Sequence, residues 1–183
     1  MQDRTLVSVL RFDTESEQLI REATSAIQRA LGRTSSEDIG PHISLIPTDT
    51  RDEAGLSTRL GLVANETQAL VIRFAHLGWF PGGVLFLGAT PAAELIDLHQ
   101  RIHEISDAGP DTLWLDLYGP GSWVPHCTLA IGVPDDKVSD VLAEAARLVA
   151  LPLDVRCTAV DLVALSKTTV ESIRTFTLAG DSG

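Results

Sequence analysis

The chain has 183 residues, 44% of them hydrophobic, and its 25 acidic side chains outweigh 14 basic ones to give a formal net charge of −11 at pH 7. That length fits one domain, or two small lobes sharing a core, and the composition excludes a disordered chain. The bases are scattered with no basic run, which excludes strong non-specific binding of long duplex nucleic acid and suits a small anionic ligand or an RNA end.

The opening "MQDRTLVSVLRF" carries an acid and a base early and only a short apolar stretch, so it lacks a secretory h-region. No run approaches the ~20 apolar residues that span a bilayer. Cys127 and Cys157 are too few for a disulfide framework and form no C-x-x-C knuckle. A cytoplasmic monomer with free, buried thiols and no membrane partner is expected.

Residues 5–12 (TLVSVLRF) read as a strand. Thr14-Glu15-Ser16-Glu17 reads as a capping box opening a helix, with Leu19, Ile20, Ala23, Ile27, Ala30 and Leu31 at helical spacing and Gly32 as the stop. A polar loop leads to the short strand HISLIP, a weaker helix over about 51–63, and the strand ALVIRFAHL at 69–77. The order then recurs: strand 83–88, a helix after Pro91 carrying Leu95, Leu98, Ile102 and Ile105, and a long loop containing GPDTLWLDLYGPGS. Next come the strand WVPHCTLAIGV, a helix over 136–150 with Asp135 as N-cap, and the strands LDVRCTAVDLVALS and ESIRTFTLAG. Each half, about 1–80 and 81–165, reads strand–helix–strand–helix–strand, with a final strand at about 170–180. This is duplication by layout rather than by residue identity, and it predicts an α+β fold of two similar lobes with mainly antiparallel sheets.

The repeat carries a motif. "PHISL" at 41–45 returns as "PHCTL" at 125–129, 84 residues later, in a chain with only 9 Pro and 5 His. Residues i and i+2 of a strand share a face, so His42 and Ser44 point one way and Ile43 and Leu45 the other. His126 and Thr128 likewise oppose Cys127 and Leu129. Two imidazoles and two hydroxyls in one cleft meet the needs of phosphodiester chemistry: a base for the attacking oxygen, an acid for the departing one, and donors for the non-bridging oxygens. Neither motif has a carboxylate or Cys at i+2, which argues against a metal site at His42 and His126 with His76. No metal and no cofactor are expected. His99 and His103, at i and i+4, read as a solvated helix edge rather than a chelating pair.

Paired His-x-Ser/Thr motifs in a duplicated layout resemble the two-histidine phosphoesterase superfamily, in particular its 2′-5′ RNA ligase and cyclic phosphodiesterase branch. The segments "LGWFPGGVLFLGATPAAELIDLHQRI", "WVPHCTLA" and "VDLVALSKT" carry the likeness, which spans nearly the whole chain. The resemblance implies a duplicated bilobal fold, two mainly antiparallel sheets around a central cleft with helices outside. It implies metal-independent opening of a 2′,3′-cyclic or related phosphodiester, or the reverse ligation of RNA ends, or a nucleotide-binding module that has lost turnover. His42 and His126 would be the acid–base pair, and Ser44 and Thr128 the phosphate ligands. The continuations "IPTDT" and "AIGVP" lack a nearby cation, which favours a small nucleotide cyclic phosphate or RNA end as partner. Tyr118, Trp123 and Phe80 are candidates to stack on a base, with sealing of the core as the favoured alternative for Trp123 and Phe80. Arg73, Arg156, Lys167 and Arg174 are candidates to aim a cation at phosphate.

Overall fold

In chain order the elements are β1 (Thr5–Phe12), α1 (Thr14–Ala30), β2 (His42–Thr48), α2 (Glu53–Glu66), β3 (Leu70–Phe80), β4 (Val84–Ala89) and α3 (Ala93–Ile105). They continue with α4 (Leu115–Tyr118), β5 (His126–Ala130), a 3-10 turn at Asp135–Lys137, α5 (Val138–Leu148), β6 (Leu153–Leu165) and β7 (Val170–Thr177). The computed structural model describes residues 4–33, 39–48, 50, 52–106, 115–166 and 169–180, so Lys167 and much of the loop before α4 lie outside the described residues.

Local chemistry sets the helix ends. Asp13, not Thr14, is the N-cap of α1: its carboxylate accepts from the Ser16 N–H at 2.8 Å. Glu17 is thereby free of the expected capping box and pairs with Arg11 and Arg21 instead. The helix buries Ile20, Ala23 and Ile27 and stops before Gly32, whose φ of +70° favours glycine. Asp52 caps α2 through the Gly55 N–H at 2.9 Å. Asp135 caps nothing; a 3-10 turn, with the Lys137 N–H on the Pro134 carbonyl at 2.9 Å, feeds α5 instead.

All strand pairs are antiparallel, and they form one seven-stranded sheet in the order β2-β1-β6-β3-β4-β5, with β7 also paired to β6. The α+β class stands, but the two expected sheets are joined, because β6 is long enough to serve both. Its residues 153–157 pair with β3, and its residues 157–165 pair with β1 along one edge and largely with β7 along the other.

The centre of this sheet is symmetric in sequence. Val71 opposes Arg156 and Ile72 opposes Val155. Adding 84 to either first member gives the second member of the other pair, so the ladder maps onto itself under the shift that carries His42 to His126. The β1–β2 ladder recurs as β4–β5, and β1–β6 as β4–β3.

The helices interlock the halves: α1 packs on β5 and α5, while α3 packs on β2 and α2. Each half's first helix therefore covers the other half's motif strand. Ile43 and Leu45 share one buried cluster with Cys127 and Leu129. Cys127 and Cys157 form no disulfide and are buried, and burial pushes the Cys157 thiol up. Among the described residues no helix is long and apolar enough to cross a membrane.

Ile72 lies at the symmetric centre and is 1% exposed. Ile72→Ala is expected to cost about 2–5 kcal/mol of stability. In urea titrations followed by circular dichroism, one transition should shift as a whole; two separated transitions would show independent halves.

Candidate active site

The two motif strands share one local design. In β2, His42 and Ser44 are half-buried while Ile43 and Leu45 are buried; in β5, His126 and Thr128 are half-buried while Cys127 and Leu129 are buried. Both ladders slip at the same motif position. Ser44 opposes Val9 but Ile46 opposes Ser8, leaving Leu45 as an extra residue; Thr128 opposes Phe86 but Ala130 opposes Leu85, leaving Leu129 extra. Such bulges bend a strand and re-aim its side chains. Here each buries two residues in succession after the hydroxyl, which accounts for the apolar close of the motif.

The imidazoles are anchored alike. His42 Nδ1 lies 2.6 Å from the Gly40 carbonyl, and His126 Nδ1 lies 2.7 Å from the Val124 carbonyl. A carbonyl only accepts, so each Nδ1 carries the hydrogen and Nε2 is the nitrogen whose protonation can change. The intervening Pro41 and Pro125 fix φ between ring and carbonyl, which gives the motif's first letter a physical purpose.

The surroundings differ. Arg11, which opposes His42 on β1, bonds the Ile39 carbonyl and, at 3.4 Å, the Pro41 carbonyl, clamping both sides of Gly40. The same guanidinium pairs with Glu17 at 3.1 Å and Asp161 at 3.4 Å. His126 instead meets Phe80 edge-on, with ring centroids 5.0 Å apart, and Phe86 at 5.2 Å. Burial lowers the His126 pKa below the usual imidazole value, and the hydrogen bond to the Val124 carbonyl offsets this only in part.

The strands β2 and β5 stand at opposite ends of the sheet order, yet they touch. Trp123 ties them: its Nε1–H donates to the Ser44 carbonyl at 3.0 Å. Tyr118 hydrogen-bonds the Ser44 side chain. Both depend on His99, whose Nε2 lies 2.9 Å from the Tyr118 carbonyl and whose ring stacks on Trp123 at 4.0 Å and 6°.

Trp123 is 9% exposed, packed in the core with its ring on His99 and its N–H bracing Ser44. One expectation changes. His99 is 2% exposed, not a solvated edge, because the Leu98–Ile102 side of α3 continues under Trp123.

The other candidates scatter. Arg73 pairs with Asp154 at 2.7 Å on the exposed side of β3, Arg174 lies over the Phe176 ring at 5.3 Å, and Arg156 lines an outer pocket with Asp13 and Glu15. Among the described residues no three His, Cys, Asp or Glu side chains are grouped to hold a metal ion. Sequence reasoning missed Arg11, which strand pairing sets opposite His42, and Phe86, which pairs with Thr128 and meets the His126 ring diagonally.

The family model of the 2′-5′ RNA ligase superfamily matches residues 12–169. Among solved structures, E. coli LigT complexed with 3′-AMP is 17% identical with a TM-score of 0.61, covering 98% of this chain and 99% of that one. TT0787 of Thermus thermophilus is 19% identical with a TM-score of 0.63, covering 97% and 99%. At these identities the likeness is one of fold. No curated protein matches the sequence.

Burial lowers the pKa of both His99 and His126. The unfolded chain then takes up protons near pH 6.5 while the folded chain stays neutral at these positions to lower pH, so stability falls as pH drops below about 6.5. His99→Phe, which keeps a ring against Trp123, should flatten part of that decline in urea midpoints compared at pH 7.5 and 5.5; an unchanged slope would contradict the burial account.

Proposed function

The chain belongs to the 2′-5′ RNA ligase superfamily, and we propose that it acts as a metal-independent phosphodiesterase opening 2′,3′-cyclic or related nucleotide phosphates. The observation that carries this reading is the matched anchoring of two imidazoles by Nδ1, each with a hydroxyl two residues on and on the same face. In the reaction one Nε2 takes a proton from water as its oxygen bonds to phosphorus. The bond from phosphorus to one ribose oxygen breaks, and the opposite Nε2–H supplies that oxygen's proton. One water is consumed and one phosphomonoester formed.

Ser44 and Thr128 donate to the non-bridging oxygens, where charge builds up. Tyr118 holds the Ser44 hydroxyl, and Trp123 fixes the strand beneath it. Burial of His126 favours its neutral form near pH 7, the state a base requires. The ligand in the LigT structure, 3′-AMP, belongs to the product class of such an opening. Ligation of RNA ends is the same displacement with a ribose hydroxyl attacking phosphorus in place of water, so that a phosphodiester forms instead of a monoester, and the same four side chains serve it.

His42→Ala and His126→Ala are each expected to lower kcat by roughly 10²–10⁴ on a 2′,3′-cyclic nucleotide followed by phosphorus NMR, with little change in thermal midpoint. Full activity in both variants would remove the mechanism. If His126 is the base, the acid limb of kcat/KM should have its midpoint below about 6.5, because protonation silences the base and burial delays it. Dialysis against EDTA should leave the rate unchanged; a rate restored only by added metal would overturn the metal-free chemistry.

A further inference from the structure

Each motif imidazole has one further basic side chain in its row of the sheet, and the two rows are built differently. Across the first half the paired positions run His42, Arg11, Ala159; across the second they run His126, Gly88, His76. Directly paired residues of antiparallel strands project to the same face, so each row presents three positions on its motif's side. In the first row the base stands on the adjacent strand, next to a small alanine. In the second the adjacent position is glycine and the base comes from one strand further out. A Cβ built on Gly88 would fall 2.1 Å from His76 Nε2, so that ring lies across Gly88, in the strip between β3 and β5.

The two bases also differ in what they are free to do. Arg11 is committed to Glu17, Asp161 and two carbonyls. Its two carboxylate partners make the surroundings of His42 a poor place for a further anion. His76 is exposed and makes no hydrogen bond or ion pair with a described residue. The second row contains no carboxylate, and its other wall is Phe80 and Phe86 against His126. Apolar walls strengthen whatever electrostatic contact forms beside them.

We propose that His76 binds a second phosphate group of the substrate, distinct from the one that reacts. It rests on the phosphodiesterase reading only in placing the reacting phosphate at His42 and His126. Phosphate oxygens are acceptors, and an imidazole N–H is a donor with no competing acid in this row. β3 and β5 are two strands apart, about 10 Å, a gap that two phosphates on one ribose bridge once both side chains reach inward. The favoured substrates therefore carry a phosphate beyond the cyclic one. It is either a terminal 5′-phosphate or the chain diester of an oligoribonucleotide end.

Calorimetric titration tests this without requiring turnover. The ligands are 3′-AMP, adenosine 3′,5′-bisphosphate, and the dinucleotide ApAp, whose second phosphate is a chain diester. The unmodified protein should bind at least one two-phosphate ligand about tenfold more tightly than 3′-AMP. His76→Ala should erase that preference while changing 3′-AMP affinity less than about twofold, and His76→Gln, which keeps an N–H donor, should retain part of it. The two-phosphate ligand that responds identifies the source. No preference in the unmodified protein, or equal weakening of all three ligands by His76→Ala, overturns the subsite. A protein that binds as expected but opens no cyclic phosphate would instead overturn the proposed reaction.

Discussion

The whole site depends on one short contact made twice: a histidine Nδ1–H held by the carbonyl two residues earlier across a proline. That contact fixes the tautomer, aims the ring, and leaves Nε2 as the nitrogen that exchanges protons. Everything around it keeps these two segments still. Arg11 clamps the carbonyls on either side of Gly40, and the bulges at Leu45 and Leu129 press the following residues into the core. The same imidazole geometry is thus held at both motifs, by different neighbours.

The interlocked helices hold the two motif strands against one shared core. α1 covers β5 and α3 covers β2, so neither half completes its packing without the other. β6 runs through both parts of the sheet. The two halves therefore share one buried core. Trp123 and Tyr118 form the link nearest the motif strands, and His99 sets both by hydrogen bond and stack. Duplication supplied two equal strands, and the structure then made their settings unequal, with a charged clamp beside His42 and an aromatic wall beside His126.

Much of the fold was legible because its signals are local. Strand and helix alternation, the stop at Gly32 and the face shared by His42 and Ser44 all follow from spacing within a few residues. Where a second local option lay one residue away, spacing failed: Asp13 outcompeted Thr14 as a cap, and Asp135 gave way to a 3-10 turn after Pro134. His99 looked like a helix edge because a helix pattern reports its own stripe and not what packs against it.

The order of amino acids is enough to establish an α+β duplication with two His-x-hydroxyl strands, since periodicity and a repeated five-residue pattern are written in neighbouring residues. Packing in three dimensions was needed to establish that β6 fuses the two sheets, that Trp123 braces Ser44, and that Arg11 and His76 stand in the rows of the motif histidines. Those are facts of strand register and helix packing, set by contacts between residues far apart in the chain, 148 positions at Arg11 and Ala159 and 160 at Thr5 and Leu165. No local pattern encodes them.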